Sequence, residues 1–166
     1  MAAHFGAAAG VIRAPELAAG RINHALFMVV RCTDGKNIYP AQGQASICSQ
    51  IGRSNENAPK LGHRFQLQMS DAEINALSVP EWKKTVLRAM AEYGMYVGDT
   101  GGNAWGIQFE SSQTYLSFGH PDPFVAIGAQ NGLPEWQGDR VFHLRDGVNW
   151  KRQLRVVDSC TADGSC

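Results

Sequence analysis

No sign of charge dominates this chain: 15 Lys and Arg offset 15 Asp and Glu. A neutral chain exerts no broad attraction on nucleic acid or on anionic lipid, so neither is an expected partner. No apolar run approaches the ~20 residues of a membrane-spanning helix, so no membrane span is expected. The opening stretch MAAHFGAAAGVIRAPELAAG lacks the charged start and apolar core of a secretory signal. Rich in Ala and Gly, it reads as the interior of a longer sequence, with Met1 the start of a fragment or a processed product. Repeats and low-complexity tracts are missing. So are G-x-S-x-G, the Gly-Lys-Ser/Thr ending of a phosphate loop, and any cysteine in an activating context. No cofactor is expected.

The 4 cysteines that are present fall into two local groups, Cys32 with Cys48 and Cys160 with Cys166. Neither group has the CxxC spacing of a zinc site. Disulfides 32–48 and 160–166 are the simplest pairing, although four cysteines allow three connectivities. A bridge closing a loop of roughly 15 residues contributes about 3 kcal/mol in the chain-entropy model. Such bridges persist in an oxidising compartment. Four reduced cytosolic thiols are the alternative.

The length suits one domain with a real core, taken as 1–166 with 1–12 and 159–166 peripheral. RAPELAAG (13–20) is a short helical turn, Pro15 near its start and Gly20 past its end. INHALFMVVRC (22–32) is apolar almost throughout, which predicts a strand buried on both faces. Asp34-Gly35 marks a turn before a short strand at NIYPA, and 42–61 reads as a polar surface loop. In HRFQLQM (63–69) Phe65, Leu67 and Met69 alternate with polar residues, which predicts a half-exposed strand. Two capping boxes follow, Ser70 with Glu73 and Ser78 with Glu81. The second opens the main helix, about 79–93. Its Val79, Trp82, Val86, Met90 and Tyr93 share one face, and Gly94 is its left-handed stop. Beyond it, MYV (95–97) and WGIQFES (105–111) are strands joined by the turn GDTGGN. TYLSF (114–118) is another strand, Asp122 and Pro123 open a short helix, and 139–144 and 153–158 close the chain as strands. The prediction is a mainly β protein, an antiparallel β-sandwich of jelly-roll type with one main amphipathic helix packed on it.

AGRINHALFMVV, YPA, LGHRFQLQMS, TVLRAMAEYGMYVGDTGG and GHPDP occur in that order across residues 10–125. Together they resemble a family of secreted bacterial proteins, common in actinobacteria. Its members read AGRIDHAL or AGRINHAL, then YPA, an alternating strand, and a helix ending YGM before an Asp-containing Gly-Gly turn. Asn23 stands where many members carry Asp. The resemblance implies an extracytoplasmic protein, this chain matching the C-terminal part of longer members. It brings no catalytic residues with it.

Asp99 and Glu110 bracket the glycine-rich turn. If its flanking strands pair, both carboxylates sit near one sheet end, as in glycosidases, whose two acids stand about 5–10 Å apart. Tyr96, Trp105 and Tyr39 then supply aromatic faces for sugar rings. Both acids also suit plainer roles, Asp99 bonding the amides of its turn and Glu110 facing water from an alternating strand. His24 is either a base or a core histidine bonded to a carbonyl or a nearby acid. As a base it would cluster with Arg21 and Asn23. His120 and Asp122 could meet His24, His63 or His143 at a metal, but no pair has HxH or HxxxH spacing, and no metal is assigned.

The expected function is that of an extracellular glycan-directed protein, a polysaccharide hydrolase or lyase or its carbohydrate-binding part. Asp99, Glu110 and His24 are its candidate catalytic residues, and Tyr96, Trp105 and Tyr39 its candidate substrate-binding residues. The alternative is a non-catalytic structural subunit of an extracellular assembly, pairing with its own N-terminal half or with like subunits.

Overall fold

The structure, a computed structural model, describes residues 2–102 and 104–157. Cys160 and Cys166, with the bridge expected between them, lie outside the described residues. In chain order the elements are α1 (Ala14–Ala18), β1 (Leu26–Val30), β2 (Arg64–Leu67), α2 (Asp71–Ala76), α3 (Glu81–Glu92), β3 (Met95–Thr100) and β4 (Gly106–Ile107). Then follow α4 (Gln113–Leu116), α5 (Pro123–Gln130), β5 (Glu135–Trp136), β6 (Asp139–Arg140), α6 (Trp150–Gln153) and β7 (Leu154–Val157).

β1 is apolar throughout, and Leu26, Phe27, Met28 and Val30 are all buried, as the sequence predicts for a strand without a polar face. It pairs in parallel with β3 on one side and antiparallel with β4 on the other. β2 joins β3 antiparallel, and β7 joins β2 antiparallel, giving the order β4-β1-β3-β2-β7. A β-rich structure carrying one main amphipathic helix is therefore present. The arrangement differs in detail from two antiparallel sheets face to face: it is one mixed five-stranded sheet beside a two-stranded ribbon, β5-β6. The long connection from β1 to β3 explains the parallel pair, because it holds β2, α2 and α3 and so can cross over. β3 and β4 do not form the expected hairpin, since β1 stands between them.

The helices follow from local signals. Ser70 and Glu73 cap α2 reciprocally, at 3.3 and 2.8 Å. The second predicted box does not form. Pro80 occupies the N-cap of α3 without a side-chain cap, and Glu81 pairs instead with Arg88 at 2.9 Å. Trp82, Val86, Leu87 and Met90 of α3 are buried in one cluster with Leu26, Met28, Leu67, Met95 and Val97 of the sheet. Gly94 ends the helix at φ 73°, and a Cβ there would stand 2.5 Å from the Phe65 carbonyl oxygen. No side chain fits that position.

Four other expectations are corrected. TYLSF folds as the helix α4, its turn closed by the Leu116 amide donating to Ser112 at 3.0 Å. Strand structure at 139–144 is limited to Asp139–Arg140. NIYPA contributes a single bridge, Asn37 to Leu61. The segment before α1, expected at the periphery, is built in: Ala3 and Ile12 are fully buried, and the Ala3 amide donates to the Gly98 carbonyl at 3.0 Å. The Cys32–Cys48 disulfide forms as expected and pins the polar loop.

On the other face of β1 the Phe27 ring packs edge-on to Phe5, with centroids 5.7 Å apart. Gly98 sits beneath that ring at a register shift between β1 and β3, and a Cβ there would lie 2.2 Å from the ring. Gly98→Ala therefore overpacks this face. Its cost is about 1–3 kcal/mol, measured as a lower urea midpoint at unchanged m. An unaltered midpoint would mean that the ring moves aside freely.

Candidate functional site

Register separates the two carboxylates proposed as a pair. Asp99 stands opposite Val29, near the C-terminal end of β1. The Gln108 amide donates to Phe27 and the Glu110 amide to Ile12, which puts Glu110 beyond the N-terminal end of β1. About 4 residues at ~3.3 Å each separate them along the strand, on the order of 13 Å, too far for the ~5–10 Å of a glycosidase pair. Asp99 Oδ1 accepts the Thr100 amide at 2.9 Å and the Ala2 amide at 3.3 Å, which tethers the N-terminal segment. Glu110 Oε1 accepts the Ala14 amide at 2.9 Å, in the first turn of α1, and the Tyr115 hydroxyl.

His24 precedes β1 rather than lying within it. Its Nδ1 is 2.9 Å from the Ala25 carbonyl oxygen and its Nε2 is 3.0 Å from Glu16 Oε1. Both ring nitrogens are engaged, as in the plainer of its two roles. Arg21 Nε donates to Asn23 Oδ1 beside it. The histidines do not gather at a metal: among the described residues no three His, Cys, Asp or Glu side chains converge.

The three aromatic candidates do not converge either. Tyr96 is half-buried between Phe5 and the Arg64 guanidinium, bordering a small cavity of about 200 Å³. Trp105 packs edge-on to Trp150 with centroids 4.9 Å apart. Tyr39 stands 82% exposed.

Trp105 borders open clefts of about 340 and 560 Å³, and Glu110 borders a cleft of about 520 Å³. The strand segment after Ile107, the start of α5 and the β5-β6 hairpin enclose it. Ile107, Phe109, Phe124 and Phe142 supply its apolar part; Phe109 and Phe124 meet edge-on at 5.3 Å and Phe109 and Phe142 lie 5.0 Å apart. Glu110, Ser111, Ser112, Asp122, Asp139 and Arg140 supply its polar part. Trp136, 66% exposed, completes the lining.

Local sequence fixes each of these groups. Asp122 caps α5 by accepting the Phe124 amide at 2.9 Å, with Pro123 at the first helical position, as the sequence predicts. Gln137 and Gly138, at φ 53° and 86°, make the tight turn that holds Trp136 and Asp139 opposite each other. Arg140 Nη1 donates to the Leu133 carbonyl at 3.1 Å, and its Nη2 pairs with Glu135 at 3.2 Å. Buried Gly128 of α5 leaves room for the Arg140 stem, which a Cβ would meet at 2.4 Å.

Trp136, Asp139 and Arg140 carried no functional signal in the sequence: 139–144 read only as a strand, and the turn before it is weakly marked. Gln-Gly is a weaker hairpin marker than Asn-Gly or Asp-Gly, because Gln is rarely left-handed. Compared with family models, curated proteins and solved structures, the chain matches none.

Burial pushes the Tyr115 hydroxyl up to about 12 from an ordinary 10.0, and the hydrogen bond it donates to Glu110 and the charges of Glu110 and Asp122 act in the same direction. Tyr115 therefore stays a donor that holds Glu110 in place. Between those two values the unfolded chain gives up the proton and the folded chain keeps it, so stability falls as pH rises through that window. The urea midpoint of the wild type should drop over this range more than that of Tyr115→Phe. Equal drops would remove Tyr115 from the alkaline transition.

Proposed function

We propose that the chain is an extracellular glycan-binding protein, the carbohydrate-recognising part of a polysaccharide-directed system, and that this cleft is its binding site. The observation that carries the reading is an exposed tryptophan, Trp136, on a cleft whose lining includes three carboxylates, two serine hydroxyls, the Arg140 side chain and a phenylalanine cluster. A sugar ring offers an apolar face of C–H groups and a periphery of hydroxyl donors. An indole face suits the first and carboxylates suit the second. The Cys32–Cys48 bridge supports an oxidising compartment, in keeping with the likeness to secreted bacterial proteins. Glu110 and Asp122, which share the cleft, replace Asp99 and Glu110 as the acids to test for hydrolysis.

Electrophoresis through gels containing plant and bacterial polysaccharides tests this. At least one polymer should retard the wild type, and Trp136→Ala should run freely with an unchanged melting temperature. Retardation that survives Trp136→Ala would place binding elsewhere. New reducing ends, lost in both Glu110→Gln and Asp122→Asn, would make the protein a hydrolase rather than a binding module.

One observation favours the assembly reading. β7 ends the sheet, no described strand pairs with its outer edge, and Val156 on it is 50% exposed. Light scattering decides this, since a strictly monomeric protein excludes association through that edge.

A further inference from the structure

Resting on the glycan reading above, we propose that the cleft selects a sugar polymer bearing free amino groups, of the glucosamine type, over one bearing carboxylates. Three acids, Glu110, Asp122 and Asp139, border it against one cation, Arg140. The charge of that cation is already paired, its Nη2 with Glu135, and its Nη1 donates to the Leu133 carbonyl, while its Nε is buried without a partner. A ligand therefore meets uncompensated negative charge.

The acids also have acceptor capacity left over. Among the described residues the Asp139 carboxylate has no hydrogen-bond or ion-pair partner, and no donor reaches Asp122 Oδ2 or Glu110 Oε2. A ligand that covers these oxygens must replace the water it displaces with donors. An ammonium group supplies three donors and a positive charge, and its hydrogen bonds to carboxylates are the stronger, charge-assisted kind. A hydroxyl supplies one donor and no charge. A uronate adds a like charge to three others and is rejected. The chain as a whole is neutral, with formal net charge +0. This attraction is therefore a property of the cleft and not a general affinity for polycations.

Titration calorimetry with three short oligosaccharides tests the idea: glucosamine, N-acetylglucosamine and galacturonate oligomers, at mildly acidic pH where the amines are charged. The glucosamine oligomer should bind at least about tenfold more tightly than its acetylated counterpart, the scale of one charge-assisted hydrogen bond. High salt should erase that advantage, and so should Asp122→Asn combined with Asp139→Asn. Asn keeps the α5 cap, so this variant folds. The galacturonate oligomer should not bind. If an acetylated or acidic oligomer binds as tightly as the amino one, and loses binding in Trp136→Ala, the amino selectivity is wrong while the glycan reading stands. If no oligomer or polysaccharide binds in a Trp136-dependent way, the glycan reading falls and the selectivity with it.

Discussion

The five residues Leu26–Val30 carry no polar side chain, so the strand leaves water on both faces. Each fully buried side chain of this size contributes about 1.5–3 kcal/mol. A strand buried in this way must also pair its backbone on both edges, because no water reaches either. β3 satisfies one edge and β4 the other, and the Phe27 amide finds the Gly10 carbonyl at 2.8 Å. The rest follows from that demand. The chain crosses over from β1 to reach β3 in parallel, and the crossover lays α3 on the sheet. The N-terminal segment covers the second face through Phe5 and Ala3.

The same insertion decides where chemistry can occur. With β1 between β3 and β4, the glycine-rich turn becomes a crossing over the end of β1 instead of a hairpin, and its two acids part. Asp99 goes to the N-terminal segment. Glu110 is carried to the opposite end of the sheet, beside α1 and the layer formed by α5 and the β5-β6 ribbon. That layer is joined to the sheet by rings: Phe109 lies against Phe124 and Phe142, and Phe142 meets Trp82 of α3 edge-on at 5.0 Å. The cleft is the space left where this layer does not close over the segment after β4.

Elements whose signal is local were legible in the sequence. The Ser70–Glu73 box, the glycine stop at Gly94 and the Asp122-Pro123 start each depend on a few adjacent backbone groups, and each occurs as read. The double burial of β1 was legible because a near-continuous apolar run has no other use. Partner choice was not legible, because period-two alternation states which face is buried and says nothing about which strand lies alongside. TYLSF shows the limit in another way. Its Thr114, Tyr115 and Phe118 suit a strand by propensity, yet Leu116 is 48% and Phe118 78% exposed, so no buried sheet face held them extended. The Ser112 carbonyl instead accepts the Leu116 amide and closes a helical turn. The cleft was the least legible part, since it joins segments distant in sequence through a Gln-Gly turn that no common rule marks.

Glu110 shows why the site and the frame cannot be separated in this protein. One of its oxygens satisfies the first-turn amide of α1 and receives the Tyr115 hydroxyl, while the residue borders the cleft. α1 is also braced by Glu16, which caps its own helix start at 2.8 Å and reaches His24 at 3.0 Å. A short helix of this kind has too few internal hydrogen bonds to hold itself, so its side-chain braces set its position. Removing the Glu110 carboxylate thus withdraws a brace and a cleft acid together. Asp122 differs, because asparagine can cap α5 as well as aspartate and the charge alone is lost. The electrostatics of the cleft are for that reason best read from Asp122 and Asp139, and the mechanical coupling of the cleft to the sheet from Glu110.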